Sequence, residues 1–200
     1  MQISSIALAA AMSCSLVSTL AAQGTEPQPT PARTSSWEFV IPSGTLIPTG
    51  AQRDAIKRGN ISAVQLTYVA RPAIAITSTF GWARSRDLVI VDSPKLDVFT
   101  YDVGAELRAP GWMKGKSMTF TPFAGAGAGG RSYNHRKLDT DATHQVGAYA
   151  SAGGEVGYRR IRVRLEARDY VTAFKPLAGA GDSRMGNDVV VLAGLRWVAR

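Results

Sequence analysis

The stretch Ile161-Arg162-Val163-Arg164-Leu165-Glu166-Ala167-Arg168 decides the fold. Its apolar residues Ile161, Val163, Leu165 and Ala167 alternate strictly with the charged Arg162, Arg164, Glu166 and Arg168. Successive side chains of an extended strand point to opposite faces, so a period of two puts each set on its own side. A helix would scatter both sets around its circumference. The segment therefore reads as a strand with one apolar and one charged face.

The same period spreads outward along the chain. Val64, Leu66 and Tyr68 alternate with Ala63, Gln65 and Thr67, and Ile74, Ile76, Phe80 and Trp82 with Ala75, Thr77 and Thr79. Phe99, Tyr101, Val103, Ala105 and Leu107 alternate with Thr100, Asp102, Gly104 and Glu106. Phe120, Ala124, Ala126 and Ala128 share a parity opposite Thr121, Phe123, Gly125, Gly127 and Gly129. Val146, Ala148, Ala150, Ala152 and Val156 oppose Gln145, Tyr149, Ser151 and Glu155. Val189, Val191, Ala193, Leu195 and Trp197 oppose Gly194 and Arg196 at the end, and Trp37, Phe39 and Ile41 oppose Glu38 at the start. These make eight strands. The spaces between them alternate in length. They are long at 48–61, 84–95, 132–143 and 174–186, and short at 71–72, 109–116 and 159–160. That rhythm belongs to an up-and-down barrel with short turns at one end and long loops at the other.

The aromatics sharpen the reading. With the strands traced up and down, Trp37, Tyr68, Phe120, Tyr158 and Trp197 fall near the lower rim of the apolar face, with Trp112 in a turn. Phe80, Trp82, Phe99 and Tyr101 fall near the upper rim. Two aromatic belts around an aliphatic band suit a lipid-facing surface, because amphipathic rings favour the headgroup level. The expected fold class is all-β, an eight-stranded antiparallel up-and-down transmembrane β-barrel. A soluble lipocalin-like barrel, with its apolar face inward, has the same period and stays as the alternative. It would leave the Ala-rich faces of the fifth and sixth strands as a poorly filled core.

The chain has 200 residues, 23 Lys and Arg against 15 Asp and Glu, and a formal charge of +8. That excess points to a partner bearing phosphates or carboxylates. Residues 1–22 read as a secretory signal, with an apolar run from Ile6 to Leu20 that is short for a spanning helix and small residues at Ala21 and Ala22. Residues 23–36, with Pro27, Pro29 and Pro31, read as a flexible leader, and 37–200 as the barrel. The one cysteine, Cys14, lies within the signal, so the mature chain is expected to lack disulfides and thiolate chemistry.

Eight strands leave an interior only wide enough for side chains. Asp102, Glu106, Glu155, Arg162, Arg164, Glu166 and Arg168 take the inward parity, with Arg159 and Arg196. Charges in so narrow a space must pair. A lumenal network plugging the barrel is expected, with a narrow channel for ions or small hydrophobic solutes as the alternative. Inward glycines at 125, 127, 129, 147, 153 and 157 imply crowding, with Tyr149 and Phe123 as aromatic cover. The run from Gly125 to Gly130 is no phosphate-binding loop, since the Lys-Ser/Thr that would follow is missing.

Taken together, Thr121-Pro122-Phe123-Ala124-Gly125-Ala126-Gly127, Arg164-Leu165-Glu166-Ala167-Arg168-Asp169-Tyr170 and the last strand resemble the small outer-membrane β-barrel proteins. These include the barrel of outer membrane protein A and the OmpX/OmpW-like proteins. Gly194, Leu195, Trp197 and Ala199 look like that family's assembly signal, although the chain ends in Arg200 where the family commonly ends in an aromatic residue. The resemblance implies a bacterial outer-membrane location with both termini periplasmic, and contact with the barrel assembly machinery during biogenesis.

Candidate chemistry is sparse. His135 and His144 bracket Asp139 and Asp141, a set with metal-ligand residue types or, with Ser132, hydrolase residue types. A solvated loop tip has the same composition. No catalytic residue, metal or cofactor is expected. Arg53, Lys57, Arg58, Arg84, Arg86, Arg131, Arg136, Lys137, Lys175 and Arg184 are placed at or above the outer rim, where lipopolysaccharide phosphates lie. The expected partners are outer-membrane lipids and lipopolysaccharide, with no nucleic acid and a monomeric state. Asp169 stands out as an outward carboxylate near the upper rim, which a headgroup-level position or a β-bulge would accommodate.

Overall fold

A computed structural model describes residues 35–50, 52–111, 113–114, 118–136, 141–158, 161–174 and 184–197. The expected signal and most of the leader lie outside the described residues, as do the side chains of Trp112, Arg159 and Trp197. Eight long strands follow one another: β1 (Ser36–Gly50), β2 (Gly59–Arg71), β3 (Ile74–Arg86), β4 (Lys95–Arg108), β5 (Met118–His135), β6 (Thr143–Tyr158), β7 (Ile161–Phe174) and β8 (Arg184–Trp197). A two-residue ribbon, Met113–Lys114, pairs with the start of β5.

Every strand pairs antiparallel with its sequence neighbours, and β8 returns to β1, so the sheet closes with no free edge. The register fixes the geometry. Val40 faces Gln65, then Thr79, Asp102, Gly129, Gly147, Thr172 and Gly186 in turn, and Gly186 faces Gly50. The circuit returns to β1 ten residues further along. Eight strands with that stagger tilt by roughly 40° and enclose a backbone radius of about 8 Å.

The barrel is inside-out relative to a soluble one. Trp37, Phe39, Ile41, Leu66, Ile76, Phe80, Val103, Leu107, Leu165, Val191 and Leu195 are exposed on its outer face. Asp102, Glu106, Glu155, Arg164, Glu166, Arg168 and Arg196 are buried within. A soluble lipocalin-like barrel is overturned by this polarity. Trp37 packs on Tyr68 at a centroid separation of 5.0 Å, and Phe80 on Phe99 at 6.3 Å, the two pairs lying near opposite rims. Asp169 faces outward in an unbroken ladder, opposite Ala150 and Val189, with no bulge to displace it.

The long connections gather at one end, here the loop end. There 52–56 folds inward: Gln52, Ala55 and Ile56 are buried. Ala55 and Ile56 meet Leu46, Ile61, Leu96, Val98, Tyr133, Val190 and Leu192 in an apolar cluster in the upper lumen.

Candidate functional site

Two features carry chemistry: the charged column in the lumen and a basic cleft on the outer rim.

The column begins at the turn end. Glu38 accepts from Arg108 Nη1 at 2.9 Å and from Arg196, and Arg196 also reaches Glu155. Arg164 sits at the centre of the next layer. It donates to Glu106 Oε2 at 2.5 Å, to Glu155 Oε1 at 3.1 Å and to Glu166 Oε2 at 2.9 Å, with its guanidinium 3.7 Å from the Phe123 ring centroid. Arg168 donates to Glu166 at 2.6 Å and to Thr79 Oγ1 at 2.9 Å, and pairs with Asp102 at 3.3 Å. Tyr170 donates to Asp102 at 2.6 Å. Above it Arg131 stacks over Tyr170 at 4.3 Å and pairs with Asp188. Arg162 is the outlier, about one-third exposed and 3.7 Å from Glu155.

Tight backbones make room for this packing. A side chain at Gly127 would collide with Tyr149, whose Cε1 would lie 2.6 Å from the new Cβ, and at Gly153 with Phe123 Cε1 at 3.0 Å. Glycine is required there because the rings lie directly on the neighbouring strand.

The structure thus brings Asp102, Glu106, Glu155, Arg164, Glu166 and Arg168 together with the inward-parity Arg196, and adds Glu38, Arg108, Arg131, Tyr170 and Asp188. One placement needs correction. Arg131, assigned above to the outer rim, is 2% exposed and lumenal, because β5 runs on to His135 and keeps its odd residues inward. Its parity with Gly127 and Gly129 was the available signal.

The histidines part company. His135 Nε2 lies 2.9 Å from buried Asp87, whose other oxygen accepts from Val89 N at 2.8 Å. His144 is exposed on the outer face, with Nδ1 3.4 Å from Tyr101 Oη. Among the described residues no three His, Cys, Asp or Glu side chains converge as metal ligands would. Asp139 lies outside the described residues.

The second feature is a cleft of about 310 Å³ lined by Lys57, Arg58, Arg84, Ser85, Arg86, Lys95, Leu96, Asp97 and Arg136. Six of these are cations and one is an acid. Arg136 neutralises Asp97 through bonds of 2.6 and 2.9 Å, and that hydrogen bond raises the guanidinium above its ordinary value. Arg84 stacks on Trp82 at 4.2 Å, which fixes a second guanidinium at the cleft. Among the described residues Asp97 is the one acid lining the cleft against six cations, so the cleft favours a polyvalent anion.

No protein-family model and no curated protein matches the sequence. Solved structures do. Neisserial surface protein A matches with a TM-score of 0.55 and 12% identity, over 82% of this chain and 98% of that one. Its fold is that of the small outer-membrane barrels. The attachment invasion locus protein of Yersinia pestis, solved in complex with the heparin analogue sucrose octasulfate, matches at 0.47 and 13% identity, over 82% of this chain and 96% of that one. At these identities the likeness concerns the fold. The chemistry of this chain must come from its own side chains.

Proposed function

We propose that the protein is a non-enzymatic resident of a bacterial outer membrane. Its lumen is closed by the charged column and the 52–56 cap, both termini are periplasmic, and it acts through its outer surface. The observation that carries this reading is the combination of a closed barrel with an apolar exterior and a basic cleft at the loop end. The cleft stands just above Trp82 and Phe99, where lipopolysaccharide phosphates would meet Lys57, Arg58, Arg84 and Arg86. The aromatic residues Trp37, Tyr68, Trp82, Phe99, Tyr101, Phe120 and Tyr158 form its headgroup-level girdles. The barrel assembly machinery inserts the chain as a monomer, and residues 1–22 direct its export.

Electrophoresis of the outer-membrane fraction tests the first half. An unboiled sample migrates faster than a boiled one, and recovery in the soluble periplasm with no shift refutes membrane residence. Binding of purified lipopolysaccharide to the barrel in detergent tests the second. Arg84→Glu with Arg86→Glu weakens it at least tenfold, and unchanged binding removes the cleft from the reading.

A further inference from the structure

The third connection carries an apolar tip that the barrel does not use. Leu88-Val89-Ile90-Val91 are four consecutive apolar residues, and Leu88, Val89 and Val91 are 42%, 58% and 84% exposed. An aqueous loop is expected to be polar at its tip, so an ordered apolar one asks for a partner.

The tip is held in shape from below. The Asp87 carboxylate accepts from Val89 N and Ile90 N while paired to buried His135. Leu88 N donates to Ala55 O at 2.8 Å, which ties the tip to the lumenal cap, and Ser93 N closes on Ile90 O at 3.1 Å. Asp92 and Ser93 hold φ values of 68° and 43°, a left-handed conformation costly for residues with a side chain. The base of the same loop is cationic: Arg86 and Lys95 face each other across β3 and β4, beside Lys57, Arg58, Arg84 and Arg136. Asp92 is the one exposed carboxylate of the tip itself.

Height excludes the protein's own lipid tails as the occupant. Four residues of a strand tilted by roughly 40° lift Arg86 about 10 Å above Trp82, beyond the upper aromatics. The tip stands further out still. Its build also discriminates, because it is a knuckle closed by the Ser93 N bond to Ile90 O, with Leu88, Val89 and Val91 exposed. A bilayer interface accepts such a knuckle without a matching pocket, whereas a protein partner must supply one. Exposed apolar residues above a basic collar match the two attractions of an anionic bilayer, apolar insertion and phosphate contact.

We propose that Leu88–Val91 is a membrane-inserting tip that docks the barrel onto an apposed anionic lipid bilayer, whose phosphates compete with lipopolysaccharide for Arg86, Lys95 and their neighbours. The inference rests on the outward placement of the loop end proposed above. It does not depend on lipopolysaccharide binding.

The test uses the full barrel in phosphatidylcholine nanodiscs, mixed with separate vesicles of phosphatidylcholine and phosphatidylglycerol at 7:3. The discs co-float with these vesicles and not with pure phosphatidylcholine vesicles, and Val89→Asp with Val91→Asp lowers co-flotation at least tenfold. Val91→Cys in a Cys14→Ser background, labelled with an environment-sensitive dye, shifts to the blue on adding the anionic vesicles. Each variant is first checked for its heat-dependent gel shift; one that lacks it is replaced by Val91→Asp alone, at the most exposed position. No co-flotation, co-flotation unchanged by the aspartates, or an unshifted dye overturns the proposal. Lipopolysaccharide binding without co-flotation leaves the cleft standing and removes the tip.

Discussion

At the scale of single residues, Arg164 and Arg162 offer a controlled comparison. They are two positions apart on β7, share a parity and both approach Glu155. Arg164 is buried and serves three carboxylates; Arg162 is about one-third exposed and sits at 3.7 Å from one. Removing a buried cation strands its partners, which costs about 3–5 kcal/mol, whereas an exposed pair contributes about 0–1 kcal/mol. Arg164→Met should therefore lose several kcal/mol in urea unfolding of the lipid-reconstituted barrel, followed by tryptophan fluorescence. Arg162→Met should stay within about 1 kcal/mol of the parent. Equal losses would mean that burial does not set the energetics of the column. Gly127→Val tests packing in the same layer. Its side chain would enter the Tyr149 ring and the β4 backbone, so the variant should fail to give the fast-migrating unboiled band.

At the scale of elements, the strands were legible and the loop end was not. Eight alternating segments appear in the sequence because one face meets water-free surroundings and the other polar ones. Period two survives wherever those demands differ. It blurs where they coincide: Val189-Val190-Val191-Leu192 reads as a continuous apolar run, since the upper lumen is itself apolar and Val190 and Leu192 face inward. Asp188 was missed beside that run, although it shares the parity of Arg196. The cap at 52–56 left no periodic trace at all. Its burial depends on Ala55 and Ile56 meeting side chains from several strands, which only closure brings together. Ile56→Ala should cost about 2–5 kcal/mol locally if the cap packs as a core does. Hydrogen exchange is the direct readout: the Leu88 amide, bonded to Ala55 O, should exchange faster while the β6 and β7 amides do not change. Unaltered exchange at Leu88 would show that the cap and the apolar tip are independent.

At the scale of the whole molecule, parity tells which side chains share the lumen but not which strands confront each other. That depends on the stagger of the closed sheet, a property of the full circuit. The ten-residue stagger sets ties across the lumen. Arg168 on β7 reaches Thr79 on β3, four strands away and so diametrically opposite. Arg164 on β7 reaches Glu106 on β4, Arg131 on β5 reaches Asp188 on β8, and Arg108 on β4 reaches Glu38 on β1. The six carboxylates Glu38, Asp102, Glu106, Glu155, Glu166 and Asp188 balance the six guanidiniums Arg108, Arg131, Arg162, Arg164, Arg168 and Arg196. Among the described residues the column is therefore neutral, and the excess of +8 lies elsewhere in the chain. On the proposed reading of a closed lumen, a neutral column tied wall to wall within about 8 Å of the axis offers ions neither width nor a net field. In planar bilayers the parent barrel should hold no steady open conductance. Arg164→Ala with Arg168→Ala removes two of the transverse ties and leaves Glu106, Glu155, Glu166 and Asp102 facing vacated space. That variant, if it retains the heat-dependent gel shift, should admit small cations, with reversal potentials in a salt gradient displaced toward cation selectivity. Steady conductance by the parent at the same protein load would instead make the column a path, and the proposed closed lumen would have to be abandoned.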